Sequence, residues 1–204
     1  MKPRIEHVIA WAVEILLIAL LPLALYHGAH LQAFAAGLAI LISFLPAIAK
    51  RNYRITLPWT FELLIILALY LHMGGLVFGW YGKYAWWDVM THLLGSAVTA
   101  MLGFLLVFSL YRAGKIHLTI PMMAVFTFFF AMAIGGLWEV AEFGADRAFG
   151  THNQPSLADT DFDLINDGLA AILVAILGSE YVRRLPEAAI ERNLERLIRR
   201  VQEK

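Results

Sequence analysis

The sequence contains no cysteine and few charged residues. The absence of cysteine excludes disulfide bonds and thiolate metal ligands. Only 16% of the 204 residues are charged, whereas about 25% is usual in a soluble domain, and 60% are hydrophobic. The formal net charge is zero, so no overall basic field favours nucleic acid as a partner. The low share of charged residues and the high share of hydrophobic ones indicate a membrane protein.

Long apolar runs occupy most of the chain. A helix needs about 20 apolar residues to cross a bilayer, and six runs have about this length. The runs are continuous rather than alternating, which excludes a β-barrel. The sequence therefore predicts an all-α, polytopic bundle of six transmembrane helices, at Val8–Tyr26, Leu31–Ala49, Leu57–Gly79, Asp88–Tyr111, Leu118–Phe143 and Leu164–Val182. Pro46 is expected to kink or shorten the second helix.

The distribution of lysine and arginine predicts the orientation. Basic residues cluster before the first predicted span and after the second, fourth and sixth, whereas the alternate loops hold only Lys83 and Arg147. Because cytoplasmic loops carry the excess of basic residues, we expect a bacterial inner-membrane protein with both termini in the cytoplasm. Residues 1–185 form the predicted transmembrane domain. Residues 186–204 form a predicted amphipathic cytoplasmic helix, which can lie against anionic lipid.

Carboxylates cluster between the fifth and sixth predicted spans. Seven of the sixteen acidic residues fall between Glu139 and Asp167. Glu139 and Glu142 lie at the predicted end of one span, and Asp163 and Asp167 lie at the predicted start of the next. Ionisable residues inside a membrane are costly and usually functional. We therefore interpret this cluster as the best indication of function.

The fourth predicted span adds a second polar group. Asp88 and His92 are four residues apart and share one helical face. Three helices thus offer carboxylate or imidazole groups near the predicted outer face. Carboxylate oxygens suit Mg²⁺, Mn²⁺ or Ca²⁺, and an added histidine admits Zn²⁺. The pattern predicts one divalent-metal site, in which His92, Glu139 and Glu142 are also the candidate catalytic residues and whose ligands are Asp88, His92, Glu139, Glu142, Asp163 and Asp167.

Other interpretations of these acidic residues are open. Crowded, buried carboxyls can also be neutralised by protonation. Asp88 and Asp163 can each be the N-cap of a helix, a role that aspartate favours. Asp159 and Asp161 are expected to be solvated charges of a water-exposed loop.

The polar residues also resemble a known family pattern. Asp88-x-x-x-His92-x-x-Gly95, Trp138-Glu139 and Asp163-x-x-x-Asp167 are similar to the signature of the YjdF-like family of bacterial inner-membrane proteins, a domain of unknown function. A fainter likeness, through Glu139-x-x-Glu142, is to VanZ-like membrane proteins. The resemblance implies that the polar residues belong to one site, and it implies no reaction.

Three classes of function are open. The first is a metal-dependent hydrolase or transferase that acts on a lipid or a lipid-linked substrate. The second is a transporter or channel for cations or protons, for which a polar path to the inner face is expected. The third is a non-catalytic subunit that docks a partner. The apolar inner halves of the last three spans favour the first class. The expected partners are membrane lipid and a second copy or a larger membrane complex.

Overall fold

A computed structural model describes residues 5–53 and 59–185, and this part of the chain is helical without strands. Six helical segments are long and apolar enough to cross a membrane, so the predicted all-α, multi-pass membrane fold is confirmed. The orientation of the termini stays a prediction, and the predicted tail helix lies outside the described residues. The helices are α1 (Ile5–Tyr26), α2 (His30–Ser43), α3 (Leu45–Tyr53), α4 (Trp59–Phe78), α5 (Trp80–Lys83), α6 (Ala85–Arg112), α7 (Ile120–Phe149) and α8 (Leu157–Arg183).

Two of these helices share the second apolar run. The candidate span runs from His30 to Ile48, and the helix is interrupted between Ser43 and Leu45. Pro46 follows in the first turn of α3, where its missing N–H removes no helical hydrogen bond. The helix is thus interrupted close to Pro46, where a kink or an early end was predicted.

The chain forms two compact units that divide between Val98 and Thr99, inside α6. In the first unit, α1, α2 and α4 pack together. Alanine side chains in this core let the helices approach closely, as is usual where helices pack within a membrane. The buried core cluster consists of Leu17, Leu20, Ala36, Ala39, Ile66 and Met73.

An aromatic cluster joins α4, α5 and the start of α6 in the first unit. The rings of Trp80 and Trp87 lie with their centroids 4.5 Å apart. A Cβ added at Gly75 would lie 2.5 Å from both Trp87 Nε1 and Tyr81 Cε2, so glycine is needed for this contact. Tyr81 also shares a 2.7 Å hydrogen bond with His72 Nδ1. These contacts fix the first turns of α6.

In the second unit, α7 and α8 pack along each other. Residues 150–156 connect them, so the two helices run in opposite directions. The second half of α6 packs against both helices at glycines. A Cβ added at Gly103 would lie 2.7 Å from the ring of Phe130, and one added at Gly178 would lie 2.7 Å from the ring of Phe104.

Both α7 and α8 extend beyond their predicted limits. α7 ends at Phe149 instead of Phe143 because Gly150 caps it with a left-handed backbone, φ 67°. α8 begins at Leu157 instead of Leu164 because the Ser156 side chain caps it by accepting the Asp159 N–H. Hydropathy marks where a chain becomes polar, whereas helix ends depend on these caps.

The longer helices correct three interpretations of the acidic residues. Asp163 lies inside α8, so it is not an N-cap. Asp88 lies in the first turn of α6, which begins at Ala85, so it is not an N-cap either. Asp159 and Asp161 belong to the first turns of α8 rather than to a loop.

Candidate functional site

The buried face of α7 ends in a carboxylate. Thr127, Ala131, Gly135 and Glu139 follow one another at intervals of four residues, and all are buried. Residues at this spacing lie on one side of a helix. Glu139 is only 5% exposed, so its carboxylate belongs to the interior face of α7.

Two further carboxylates lie on the buried face of α8. Asp163 is 4% exposed and Asp167 is 1% exposed. Asp167 lies directly against the backbone of α7, because a Cβ added at Gly135 would overlap Asp167 Oδ2 and lie 3.1 Å from its Cγ. The glycine at position 135 therefore makes the space that the Asp167 carboxylate fills.

This contact sets the register of α7 and α8. Glu139 lies one turn after Gly135, and Asp163 lies one turn before Asp167. Because the helices run in opposite directions, both steps lead towards the α7–α8 connection. The register therefore places Glu139 and Asp163 at the same level on the two helices. We call Glu139, Asp163 and Asp167 the carboxylate group of the second unit.

Glu139 is held by one neutral side chain. The Gln154 amide Nε2 donates to Glu139 Oε2 at 2.7 Å and to the Glu139 carbonyl oxygen at 2.8 Å. The other carboxylate oxygen, Oε1, is buried and has no hydrogen-bond partner among the residues that the structure describes. A buried acceptor that lacks a hydrogen bond lowers the stability of the fold by about 1–3 kcal/mol. A ligand bound to Glu139 Oε1 would therefore stabilise the site.

Gln154 is a site residue that the sequence prediction missed. The stretch around it was expected to be a solvent-exposed loop, whereas its side chain is part-buried against Glu139. One signal was present in the sequence. Ser156 followed by Asp159 has the spacing of a helix N-cap pattern, which places the start of α8 directly after Gln154.

Glu142 differs from the other predicted ligands. Its side chain is half-buried, whereas that of Glu139 is buried, and its Oε1 accepts a 3.0 Å hydrogen bond from Trp138 Nε1. Trp138 itself is exposed. The structure therefore buries Glu139, Asp163 and Asp167 on facing helices, and it leaves Glu142 half-buried.

Asp88 and His92 form the polar pair of the first unit. His92 Nε2 lies 3.6 Å from Asp88 Oδ1, which is within ion-pair distance and too long for a strong hydrogen bond. The His92 side chain is 10% exposed and that of Asp88 is 30% exposed. The two residues share one face of α6, as predicted from their spacing. That this pair and the carboxylate group bind one ion stays a prediction.

Comparison with known proteins gives the family. The model of a family described as "Predicted membrane protein (DUF2238)" matches residues 8–184. The chain belongs to this DUF2238 family. It is also 28% identical over 134 residues to an uncharacterized protein of Thermotoga maritima. The aligned stretch covers 65% of this chain and 68% of the relative. No solved structure matches significantly.

The family assignment covers all six spanning segments. It confirms the expectation of a membrane protein whose family description gives no function. The DUF2238 match does not test the resemblances to the YjdF-like and VanZ-like families.

Proposed function

We propose that this DUF2238 protein binds a divalent metal ion and uses it as a hydrolase or transferase acting on a lipid or lipid-linked head group. The observation that carries the proposal is Glu139, whose Oε1 is buried without a hydrogen-bond partner among the described residues. The proposed ligands are Glu139, Asp163 and Asp167 of the second unit, together with Asp88 and His92 as predicted from the sequence. Glu142 is also part of the predicted set, and it is less buried than Glu139.

The charge of the carboxylate group supports a cation. Three carboxylates at 5% exposure or less lie on the facing sides of α7 and α8. Removing each charge from water is unfavourable by several kcal/mol, and neighbouring carboxylates repel one another. A divalent cation offsets both effects. Oxygen ligands favour Mg²⁺, Mn²⁺ or Ca²⁺, and participation of His92 would admit Zn²⁺.

The position of Glu139 along α7 supports a head-group substrate. The helix has 30 residues, so at a rise of 1.5 Å per residue it is about 45 Å long. The hydrocarbon core of a bilayer is only about 30 Å thick. Glu139 lies about 15 Å from the end of the helix at Phe149 by the same rise. With α7 centred on this core, the proposed position of the carboxylate is near the boundary between the apolar core and the head groups.

The chemistry of the proposed residues fits this substrate class. A divalent ion supplies a Lewis acid that polarises a phosphoryl or carbonyl oxygen. His92 is the residue suited to proton transfer, because an imidazole exchanges protons near neutral pH. Asp88, at 3.6 Å from His92 Nε2, is placed to stabilise the protonated imidazole.

Metal binding can be measured on the purified protein in detergent. We expect the metal-free protein to bind Mn²⁺ at micromolar concentrations, as followed by the loss of the free-ion signal in electron paramagnetic resonance. Glu139→Gln keeps the size of the side chain and removes the ligand charge, so it should abolish this binding. Asp161→Asn removes one exposed carboxylate near the start of α8 and serves as the matched control with unchanged binding.

The same assay tests the pair of the first unit. If His92→Ala and Glu139→Gln each remove the same single Mn²⁺, the prediction of one site is correct. If neither Mn²⁺, Mg²⁺, Ca²⁺ nor Zn²⁺ binds to the wild type, or if Glu139→Gln binds like the wild type, the proposal is wrong. Uptake of Mn²⁺ into proteoliposomes would instead indicate a transporter.

A further inference from the structure

The connection between α7 and α8 is held by a single carboxylate. Asp146 lies in the last turn of α7 and accepts three hydrogen bonds from residues 151–154. The Thr151 hydroxyl donates to Oδ1 at 2.6 Å, the Asn153 N–H donates to Oδ1 at 2.8 Å, and the Gln154 N–H donates to Oδ2 at 2.9 Å. Both oxygens of Asp146 are thus used to fold the connection back onto α7.

This folding determines where the Gln154 side chain lies. The backbone N–H of Gln154 is bonded to Asp146, two turns of α7 beyond Glu139. The side chain of Gln154 then reaches back along α7, and its two amide hydrogens are donated to the Glu139 carbonyl oxygen and to Glu139 Oε2. A helix end, a loop and a buried carboxylate are therefore joined by consecutive hydrogen bonds.

We propose that Asp146 and Gln154 are positioning residues that aim Glu139 Oε1 at its ligand. With Oε2 and the carbonyl oxygen held by Gln154, the Glu139 carboxylate cannot rotate freely, and Oε1 is the oxygen left for a metal ion. The inference rests on the proposed metal site for its functional meaning. Residues that orient a ligand in this way commonly change metal affinity by about 10–100-fold when they are replaced.

Asp146 is suited to this role because it is a carboxylate and both of its oxygens accept hydrogen bonds from the connection. Hydrogen bonds to a carboxylate are about twice as strong as those between neutral groups. Gly150 adds to the arrangement, since its left-handed backbone, φ 67°, reverses the chain directly after α7. With the turn and Asp146 holding its backbone, the Gln154 side chain lies along α7 towards Glu139.

The first arm of the test measures how well the backbone amides of the α7–α8 connection are protected from exchange in metal-free protein. Hydrogen exchange is followed in peptides that cover residues 150–155 in the presence of EDTA. Asp146→Ala should raise the exchange rate of the Asn153 and Gln154 amides by about tenfold or more, because their acceptor is lost. Gln154→Ala should leave the Asn153 amide as protected as in the wild type. Unchanged exchange in Asp146→Ala would refute the role of Asp146.

The second arm observes Glu139 itself. Infrared difference spectra between the wild type and Glu139→Gln isolate the carboxyl band of Glu139, again without metal. This band should shift in Gln154→Ala, because the amide that donates to Oε2 is deleted. It should also shift in Asp146→Ala, because the connection that positions this amide is released. His152→Ala, an exposed residue of the same connection, is the control and should leave the band in place. An unshifted band in Gln154→Ala overturns the inference, whether or not the protein binds metal.

The third arm links positioning to binding. Gln154→Ala should weaken Mn²⁺ binding by about 10–100-fold and should not abolish it, whereas Glu139→Gln abolishes it. If the wild type binds no Mn²⁺ while the infrared band shifts as expected, the proposed function fails and the positioning by Gln154 stands. If Gln154→Ala binds Mn²⁺ like the wild type while Glu139→Gln does not, positioning is refuted and the metal site stands.

Discussion

The contact between Gly135 and Asp167 allows a sharp test of the α7–α8 register. A methyl group added at Gly135 would overlap Asp167 Oδ2 and lie 3.1 Å from Asp167 Cγ. Asp167 is short and fully buried, at 1% exposure, so its carboxylate cannot move aside without shifting its surroundings. Gly135→Ala should therefore force α7 and α8 apart or displace Asp167.

Two opposing effects set the expected size of this change. Replacing a helical glycine with alanine is favourable by up to about 1 kcal/mol, and overpacking a buried contact is unfavourable by about 1–3 kcal/mol. We expect Gly135→Ala to lower the free energy of unfolding by about 1–2 kcal/mol. Gly136→Ala is the matched control, because nothing lies within 4 Å of a Cβ added there, and it should be neutral or slightly stabilising.

The free energy of unfolding can be measured by reversible denaturation with SDS in mixed micelles. A double-mutant cycle identifies the cause. In an Asp167→Ala background the carboxylate is absent, so the added methyl group has space and Gly135→Ala should become nearly harmless. The coupling energy between the two substitutions is then about 1–2 kcal/mol, within the range for residues in contact. If Gly135→Ala is as stable as Gly136→Ala, or if the two substitutions are additive, the described register is wrong.

Two further predictions concern the aromatic cluster of the first unit. Gly75→Ala places a methyl group 2.5 Å from Trp87 Nε1 and should lower the thermal midpoint in detergent, whereas Gly37→Ala, with nothing within 4 Å, should not. A normal midpoint for Gly75→Ala would contradict the close contact. Tyr81→Phe removes the hydroxyl that shares a 2.7 Å hydrogen bond with His72 and should lower the free energy of unfolding by about 1 kcal/mol in the same SDS titration. No loss of stability would show that this hydrogen bond contributes nothing to the fold.

Much of the fold follows from hydropathy. Six apolar runs correspond to six segments that are long and apolar enough to cross a membrane, and a helix break was expected near Pro46. The ends of α7 and α8 could not be obtained in the same way. They depend on the left-handed Gly150 and on the Ser156 side chain, which are local caps and not features of hydropathy. The interpretation of Asp163 as an N-cap failed for this reason.

In the candidate site, too, some features could be predicted from the sequence and others could not. The four-residue spacing of Asp88 and His92 correctly placed both on one face of α6. The spacing of Glu139 and Glu142 did not reveal that Glu139 is buried and Glu142 only half-buried. Gln154 was absent from the predicted site because its role depends on a loop folded by Asp146. Hydrogen bonds between a loop and a helix cannot be deduced from periodicity.

The sequence by itself determined that this is a membrane protein and that its fold is helical. Charged side chains are unfavourable in lipid, so a membrane protein has few of them and has long apolar runs. The sequence also placed the acidic residues near the end of the bundle that carries the α7–α8 connection. Only the tertiary structure decided which carboxylates are buried, how Gly135 makes space for Asp167, and which oxygen of Glu139 Gln154 holds. These features depend on the register of two packed helices and on the turn between them, where residues distant in the sequence come into contact.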